Sequence, residues 1–382
     1  MLNSALLSSQ SFLFDELLNN WSCYGINKED GYSYESMNHD WTNNSVGRVR
    51  LLTQCRQLYT FSHACQIKNM PEWQVKLTPL FDFITSHYFI DDRWIFSLND
   101  DLSIKDKQSD AYALAFVLLS FSHYYKATKD DRALIFMKKT HLFLLDNMQA
   151  LSGGFYESYP VDTSQIRRQN PHMHLLEGYV AAFDTTNDDD YKEAIQSLLS
   201  LALERFYHKE TKTLREFFSA DWGIDPQTGN QVEPGHHFEW VWLLYQANKI
   251  IPNSDYTDLA QQLWLTATRH GLANNGGIYN QIDGDTKHPI DKEKRIWPIT
   301  EYLKAVTVMP IGKEEKIDRL EKCINFAQQH YFLPNGSWNE YLNEDNTPKN
   351  YPLPGTSSYH IFLGLTEVIA WAKANNGFLG SF

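Results

Sequence analysis

The sequence predicts an all-α chain folded as an (α/α)6 barrel, six inner helices inside six outer ones, with short hairpin-like loops at one end. Three observations predict it. A repeat recurs about every sixty residues, each repeat holds two helical segments, and polar residues fall at one phase of every repeat. Self-similarity at a fixed period decides architecture before local assignments do.

The repeat is carried by short aromatic-acidic stretches: GYSYES (31–36), WIFSLND (94–100), GGFYESY (153–159), LREFFS (214–219), GGIYNQ (276–281) and GSWNEY (336–341). Aligned on Tyr34, Phe96, Tyr156, Phe217, Tyr279 and Trp338, the steps are 62, 60, 61, 62 and 59 residues. Between them lie segments such as 48–64, 111–127, 132–148 and 191–207, with apolar residues at three- and four-residue spacing. In each interval one helix is apolar almost all round, as burial on both sides requires. The other is amphipathic, as an outer layer requires. An open solenoid of helix pairs is the alternative. The closed barrel is preferred because the polar residues converge only if the ring closes. No Gly/Ser linker or charge block divides the chain, so residues 1–382 read as a single domain.

Composition excludes several classes. With 47 acidic and 34 basic residues the formal charge is −13, which disfavours binding to nucleic acid or an anionic membrane. Aromatic residues make up 14% of the chain, enough for a large core and for flat apolar faces that suit sugar rings. Cys23, Cys55, Cys65 and Cys323 show no CxxC pairing, against a disulfide scaffold or structural zinc. The start of the chain lacks a basic n-region, and the longest strongly apolar run, 111–121, is far short of a span. A soluble cytoplasmic protein is expected, either monomer or homodimer.

Counting forward from each anchor aromatic brings polar side chains to the first turns of the apolar helices. Arg56 lies 22 residues after Tyr34, and Tyr112 lies 16 after Phe96. Asn170 and His174 lie 14 and 18 after Tyr156, and His236 and Glu239 lie 19 and 22 after Phe217. Trp297 and Glu301 lie 18 and 22 after Tyr279, and His360 lies 22 after Trp338. In a closed ring these groups face one pocket.

Local signals support helix starts at each site. In NPHMHLLEGY (170–179) Asn170 is expected to cap a helix with Pro171 in its first turn, and His174 and Glu177 share a face. In EPGHHFEWVWLL (233–244) a Pro-Gly turn leads into an apolar helix whose first turn holds two His and a Glu, which are costly to bury without a purpose. His236 and Glu239 share a face there, and His237 points elsewhere. RIWPITEYLKA (295–305) sets an indole beside a carboxylate, and YPLPGTSSYHIFLGL (351–365) brings His360 to another helix start. The His and Glu side chains could ligate a cation, but there is no HExxH, EF-hand loop or Cys/His cluster, so no metal is expected. Without a Walker loop, a GxGxxG turn or a GxS-type elbow, no nucleotide cofactor or serine hydrolysis is expected.

At these residues the sequence resembles the N-acylglucosamine 2-epimerase superfamily, which includes cellobiose 2-epimerases and mannose isomerases. The segments that carry the likeness are TQCRQLYTFSHA, DAYALAFVLL, NPHMHLLEGY, EPGHHFEWVWLL, RIWPITEYLKA and SSYHIFLGLTE, from about residue 50 to 367. The resemblance implies the six-by-two helical barrel and cofactor-free, metal-free chemistry on a reducing sugar. It implies His236 and His360 as the acid/base pair. It also implies Arg56, Tyr112, Asn170, His174, Glu239, Trp297 and Glu301 as the substrate-binding set. Epimerases of disaccharides tend to carry a double Trp where this chain has Ile296-Trp297, which argues for a monosaccharide. The segment around His360 looks most like the mannose isomerase branch.

The reaction so implied interconverts D-mannose and D-fructose, or a related aldose such as lyxose, through a cis-enediolate. His360 would take the C2 proton and His236 would open the ring and return protons. Arg56 and His174 would steady the oxyanion, Glu239 would orient His236, and Trp297 would stack on the sugar. The nearest alternative is a 2-epimerase of the N-acylglucosamine or cellobiose type, which shares the intermediate. A glycoside hydrolase or lyase would need two carboxylates about one bond, with Glu239 and Glu301 the available pair. A non-catalytic sugar-binding protein leaves the two histidines without a purpose. Sugar phosphates are disfavoured, because Arg56 is the one cation the spacing assigns to the pocket.

Overall fold

A computed structural model describes residues 2–375 and 377. It contains twelve main helices. The first, α1 (Leu2–Ser11), runs on through π-helical turns to Gly25. The rest alternate between two layers. The inner helices are α2 (Leu51–Ile67), α4 (Ala111–Thr128), α6 (Gln169–Thr186), α8 (Pro234–Ile250), α10 (Ile296–Val308) and α12 (Ser357–Asn375). The outer ones are α3 (Pro71–Tyr88), α5 (Arg132–Phe143), α7 (Asp189–Leu201), α9 (Ser254–His270) and α11 (Lys313–His330), with α1.

The burial patterns explain the layering. In α4 the run Ala113 to Ser122 is buried without a break, as a helix enclosed on all sides requires. In α7 the buried residues are Tyr191, Ile195, Leu198, Leu199 and Leu201, a single stripe. Each inner helix packs against the next and α12 returns to α2, so the ring closes. Two glycines permit close approach within it. A Cβ on Gly178 would lie 2.6 Å from the Ala115 carbonyl oxygen, and one on Gly364 would lie 2.6 Å from Thr300 Cβ. Among the described residues no outer helix follows α12, and α1 packs beside α11 and α12 in that place.

Short strands tie the repeats together at the end where the inner helices begin. Val49–Arg50 pairs with Ser97–Leu98, Ser109–Asp110 with Ser158–Tyr159, and Arg167–Arg168 with Phe217–Phe218. Gln231–Val232 pairs with Gln281–Asp283, Lys294–Arg295 with Tyr341–Leu342, and Leu353–Pro354 with Ser36–Met37. Every pairing is antiparallel. Each joins the strand entering an inner helix to the strand of the next repeat, and the last joins the first. The expected hairpin-like loops are thus a cyclic set of two-residue ladders, and the six helix N-termini surround one mouth. No helix among the described residues is long and apolar enough to cross a membrane.

Candidate active site

A cavity of about 240 Å³ opens at that mouth. Arg56 from α2, Tyr112 from α4, Asn170 and His174 from α6, His236 and Glu239 from α8, Trp297 from α10 and His360 from α12 all line it. The closed ring therefore brings together eight of the nine side chains singled out by spacing. The ninth, Glu301, is fully buried behind His360, one turn deeper on α10 than Trp297, and does not line the cavity.

Each of three histidines is held through Nδ1 by a carboxylate, which leaves Nε2 for other chemistry. His360 Nδ1 lies 2.9 Å from Glu301 Oε1, His236 Nδ1 lies 2.9 Å from Glu216 Oε2, and His174 Nδ1 lies 3.1 Å from Glu177 Oε2. The expectation that Glu239 orients His236 is corrected, since Glu216 does so. Glu216 reaches α8 from the neighbouring aromatic stretch and is itself fixed by Gln169 Nε2 at 2.7 Å and the Glu233 N–H at 3.2 Å. His237, as expected, serves the scaffold, because its Nε2 accepts the Leu214 N–H at 3.2 Å.

The indole of Trp297 sits between the two catalytic candidates, with ring centroids 4.9 Å from His236 and 5.8 Å from His360. Gly235, read from sequence as a turn former, lies within α8 and makes room for that indole. Pro234 starts the helix at its first turn. Asn170 is not a cap, because α6 begins at Gln169 and its N-cap is Arg168. The Asn170 Oδ1 is buried without a hydrogen-bond partner, as are both Glu239 carboxyl oxygens. Buried polar atoms of this kind are satisfied when a ligand supplies the missing groups.

Arg56 donates to the Thr356 carbonyl at 3.0 Å and to Tyr112 Oη at 2.6 Å, and its guanidinium lies 4.2 Å from the Phe116 ring centre. It is not the only cation at the cavity: Arg50 and Arg295 line the mouth as well. Each comes from the residue just before an inner helix, ahead of the turns where the spacing argument looked. Both face carboxylates, Arg50 with Glu35 at 2.8 Å and Arg295 with Glu340 at 3.6 Å.

The surroundings set opposite protonation states. Burial alone would lower the His236 pKa, but the carboxylates of Glu216 and Glu233 more than reverse this and push it up to about 10. Burial lowers His360 well below the ordinary imidazole value, and Arg56 and Lys304 lower it further. Burial takes His174 down to about 4 against the pull of Glu177. Burial and the nearby Glu301 hold Glu239 well above the usual carboxylate range.

Two groups gather donor atoms within 4.8 Å of one another, His174 with Glu177 and Glu239, and Glu239 with Glu301 and His360. In the second, the Lys304 ammonium stands 2.6 Å from Glu301 and supplies the positive charge. In the first, His174 Nδ1 is already engaged by Glu177 at 3.1 Å. Both groups are tied into hydrogen-bond and ion-pair networks with their neighbours.

A ring of helix pairs is the fold this chain shares with solved structures of a sugar isomerase and a sugar epimerase. The chain belongs to the N-acylglucosamine 2-epimerase (GlcNAc 2-epimerase) family, whose description it matches over residues 31–364. It is 28% identical to a mannose-6-phosphate isomerase of Rhizobium meliloti, over 71% of this chain and 72% of that one. It is 22% identical to a cellobiose 2-epimerase of Bacteroides fragilis, over 73% of this chain and 76% of that one. Among solved structures, a D-mannose isomerase superposes with a TM-score of 0.83 at 20% identity, covering 97% of each chain.

Proposed function

We propose that this protein is a metal-free aldose–ketose isomerase that interconverts D-mannose and D-fructose through a cis-enediolate. The observation that carries the reading is the pair of histidines across Trp297, one kept neutral and the other kept protonated by their neighbours. A neutral imidazole and an imidazolium in one cavity are a base and an acid.

The chemistry follows from the open-chain sugar. The C2–H is acidic because it adjoins the C1 carbonyl. His360, with Nδ1 tied to Glu301, takes that proton at Nε2. The electron pair moves into the C1–C2 bond, and the carbonyl oxygen takes up negative charge. Arg56 supplies donors for it, preorganised by its own hydrogen bonds, while His174, its Nδ1–H held by Glu177, offers Nε2 as an acceptor to a sugar hydroxyl. His236 gives a proton to the ring oxygen on opening and takes the one on O1, and in the enediolate stage it gives a proton to O1 and takes the one on O2. Return of the proton to C1 gives the ketose. Asn170 and Glu239, each with unpartnered oxygens, receive sugar hydroxyls, and Trp297 offers the flat face.

A 2-epimerase is the second reading, favoured by the presence of a second histidine, His236, in the same cavity as His360, which gives a second group to return a proton to C2. A cavity of about 240 Å³ suits a monosaccharide better than a disaccharide. Product analysis with D-mannose separates the readings: ketose supports the isomerase, and glucose without ketose supports the epimerase. The relatives named above support the choice of sugar and leave the phosphate open. Arg50 and Arg295 are the groups a phosphorylated substrate would meet, and comparing mannose with its 6-phosphate tests this directly.

A further inference from the structure

Behind the cavity lies a fully buried lysine that takes no part in the steps above. Lys304 lies one turn beyond Glu301 on α10, and both are completely buried. Its ammonium is 2.6 Å from Glu301 Oε2, while Oε1 of the same carboxylate holds His360 Nδ1 at 2.9 Å. The ammonium also sits 4.4 Å from the ring centre of Trp242. An ammonium, a carboxylate and an imidazole are thus joined through the two oxygens of one side chain. His236 is furnished differently. Glu216 is 2.9 Å away and Glu233 adds a second carboxylate at 3.8 Å. Among the described residues, no lysine or arginine lies within ion-pair range of Glu216.

We propose that Lys304 is the positioning residue that makes these two histidine–carboxylate pairs unequal, neutralising Glu301 so that His360 stays an uncharged base while His236 carries the proton. The inference rests on the acid/base reading above and adds the group that assigns the roles. At His236 two carboxylates, with no lysine or arginine on Glu216 among the described residues, draw a proton onto the imidazole. Around His360, α2 presents Arg56, α6 presents His174, α8 presents Glu239, and α10 presents Glu301, Lys304 and, at its cap, Arg295. Lys304 is the cation in direct contact with the carboxylate that holds His360. Burial and these charges together keep His360 neutral, and burial of Lys304 itself is outweighed by Glu301, Glu239 and Glu177, which keep its ammonium charged.

The test is Lys304→Met, read in two ways. The acid limb of kcat/KM is expected to rise by roughly one to three pH units. In ¹⁵N-histidine-labelled protein, His360 is expected to titrate in the ordinary imidazole range in the variant and well below it in the unaltered protein. Lys304→Arg is expected to restore both. A folded Lys304→Met protein with both readouts unchanged overturns the proposal. If that variant does not fold, the double variant Glu301→Gln/Lys304→Met removes both buried charges and is expected to leave His360 neutral. A His360 that titrates upward in the double variant contradicts the account. The titration needs no turnover. A protein that shows the shift but converts no sugar would sink the catalytic reading and leave the Lys304–Glu301–His360 relationship standing.

Discussion

Gly235 lies so close to Trp297 that a Cβ on it would stand 2.5 Å from the indole Cη2. Glycine in a helix normally costs stability, about 1 kcal/mol relative to alanine. Its presence in the first turn of α8 is explained by the ring it admits, since that indole spaces His236 from His360.

Gly235→Ala is therefore expected to leave the fold intact and damage the site. The added methyl displaces Trp297, and with it the distance between the histidines. A misplacement of about 1 Å costs on the order of 10²-fold in turnover. Steady-state kinetics beside a thermal melt checks this, and full activity with the methyl in place would refute it.

His236→Ala and His360→Ala are each expected to lose roughly 10² to 10⁴-fold in turnover. Circular dichroism should be unchanged, because neither imidazole carries the packing of its helix. A near-normal rate in either variant removes that residue from the mechanism.

Glu216→Gln tests the acid. Removing the carboxylate destabilises the imidazolium, so the pKa of His236 falls from about 10 toward the ordinary value. The protonated form then disappears at lower pH. The basic limb of the rate profile should move down toward neutrality while the acid limb, set by His360, stays where it was.

Glu239→Gln is expected to be mild and Glu239→Ala severe. Burial and Glu301 raise the Glu239 carboxyl well above the usual range, which favours its uncharged form, and glutamine reproduces the shape and donor of that form. Alanine removes a hydrogen bond to substrate, worth about 1 kcal/mol or somewhat more, or close to tenfold in KM. Equal losses in the two variants would show that the negative charge matters.

Gly178→Ala tests the ring instead of the site. The methyl would lie 2.6 Å from the Ala115 carbonyl, between α6 and α4. Overpacking of this kind costs about 1–3 kcal/mol, to be read as a lower midpoint in urea.

Much of this arrangement is legible in the sequence because it is periodic. The sixty-residue step and the fully apolar inner helices lead to the barrel, and the phase of Arg56, His174, His236 and His360 leads to one pocket. The two-residue strands are not legible, being too short to show alternation. For the same reason Glu216 was seen within LREFFS without its role. Its meeting with His236 depends on the pairing of Arg167–Arg168 with Phe217–Phe218. A signal existed, since Glu35, Glu157, Glu216 and Glu340 recur in the aromatic stretches. Lys304 also had one, as a lysine three residues after Glu301 on an otherwise apolar helix. Arg50 and Arg295 stand before the helices, outside the turns from which the pocket was read.

The central claim is proton transfer at sugar carbon by two histidines without a metal. Proton NMR of EDTA-treated protein with D-mannose in D₂O tests it most directly. The account predicts fructose, with deuterium entering at C1. No change with mannose, glucose, N-acetylmannosamine or cellobiose, even after metal is restored, would contradict it.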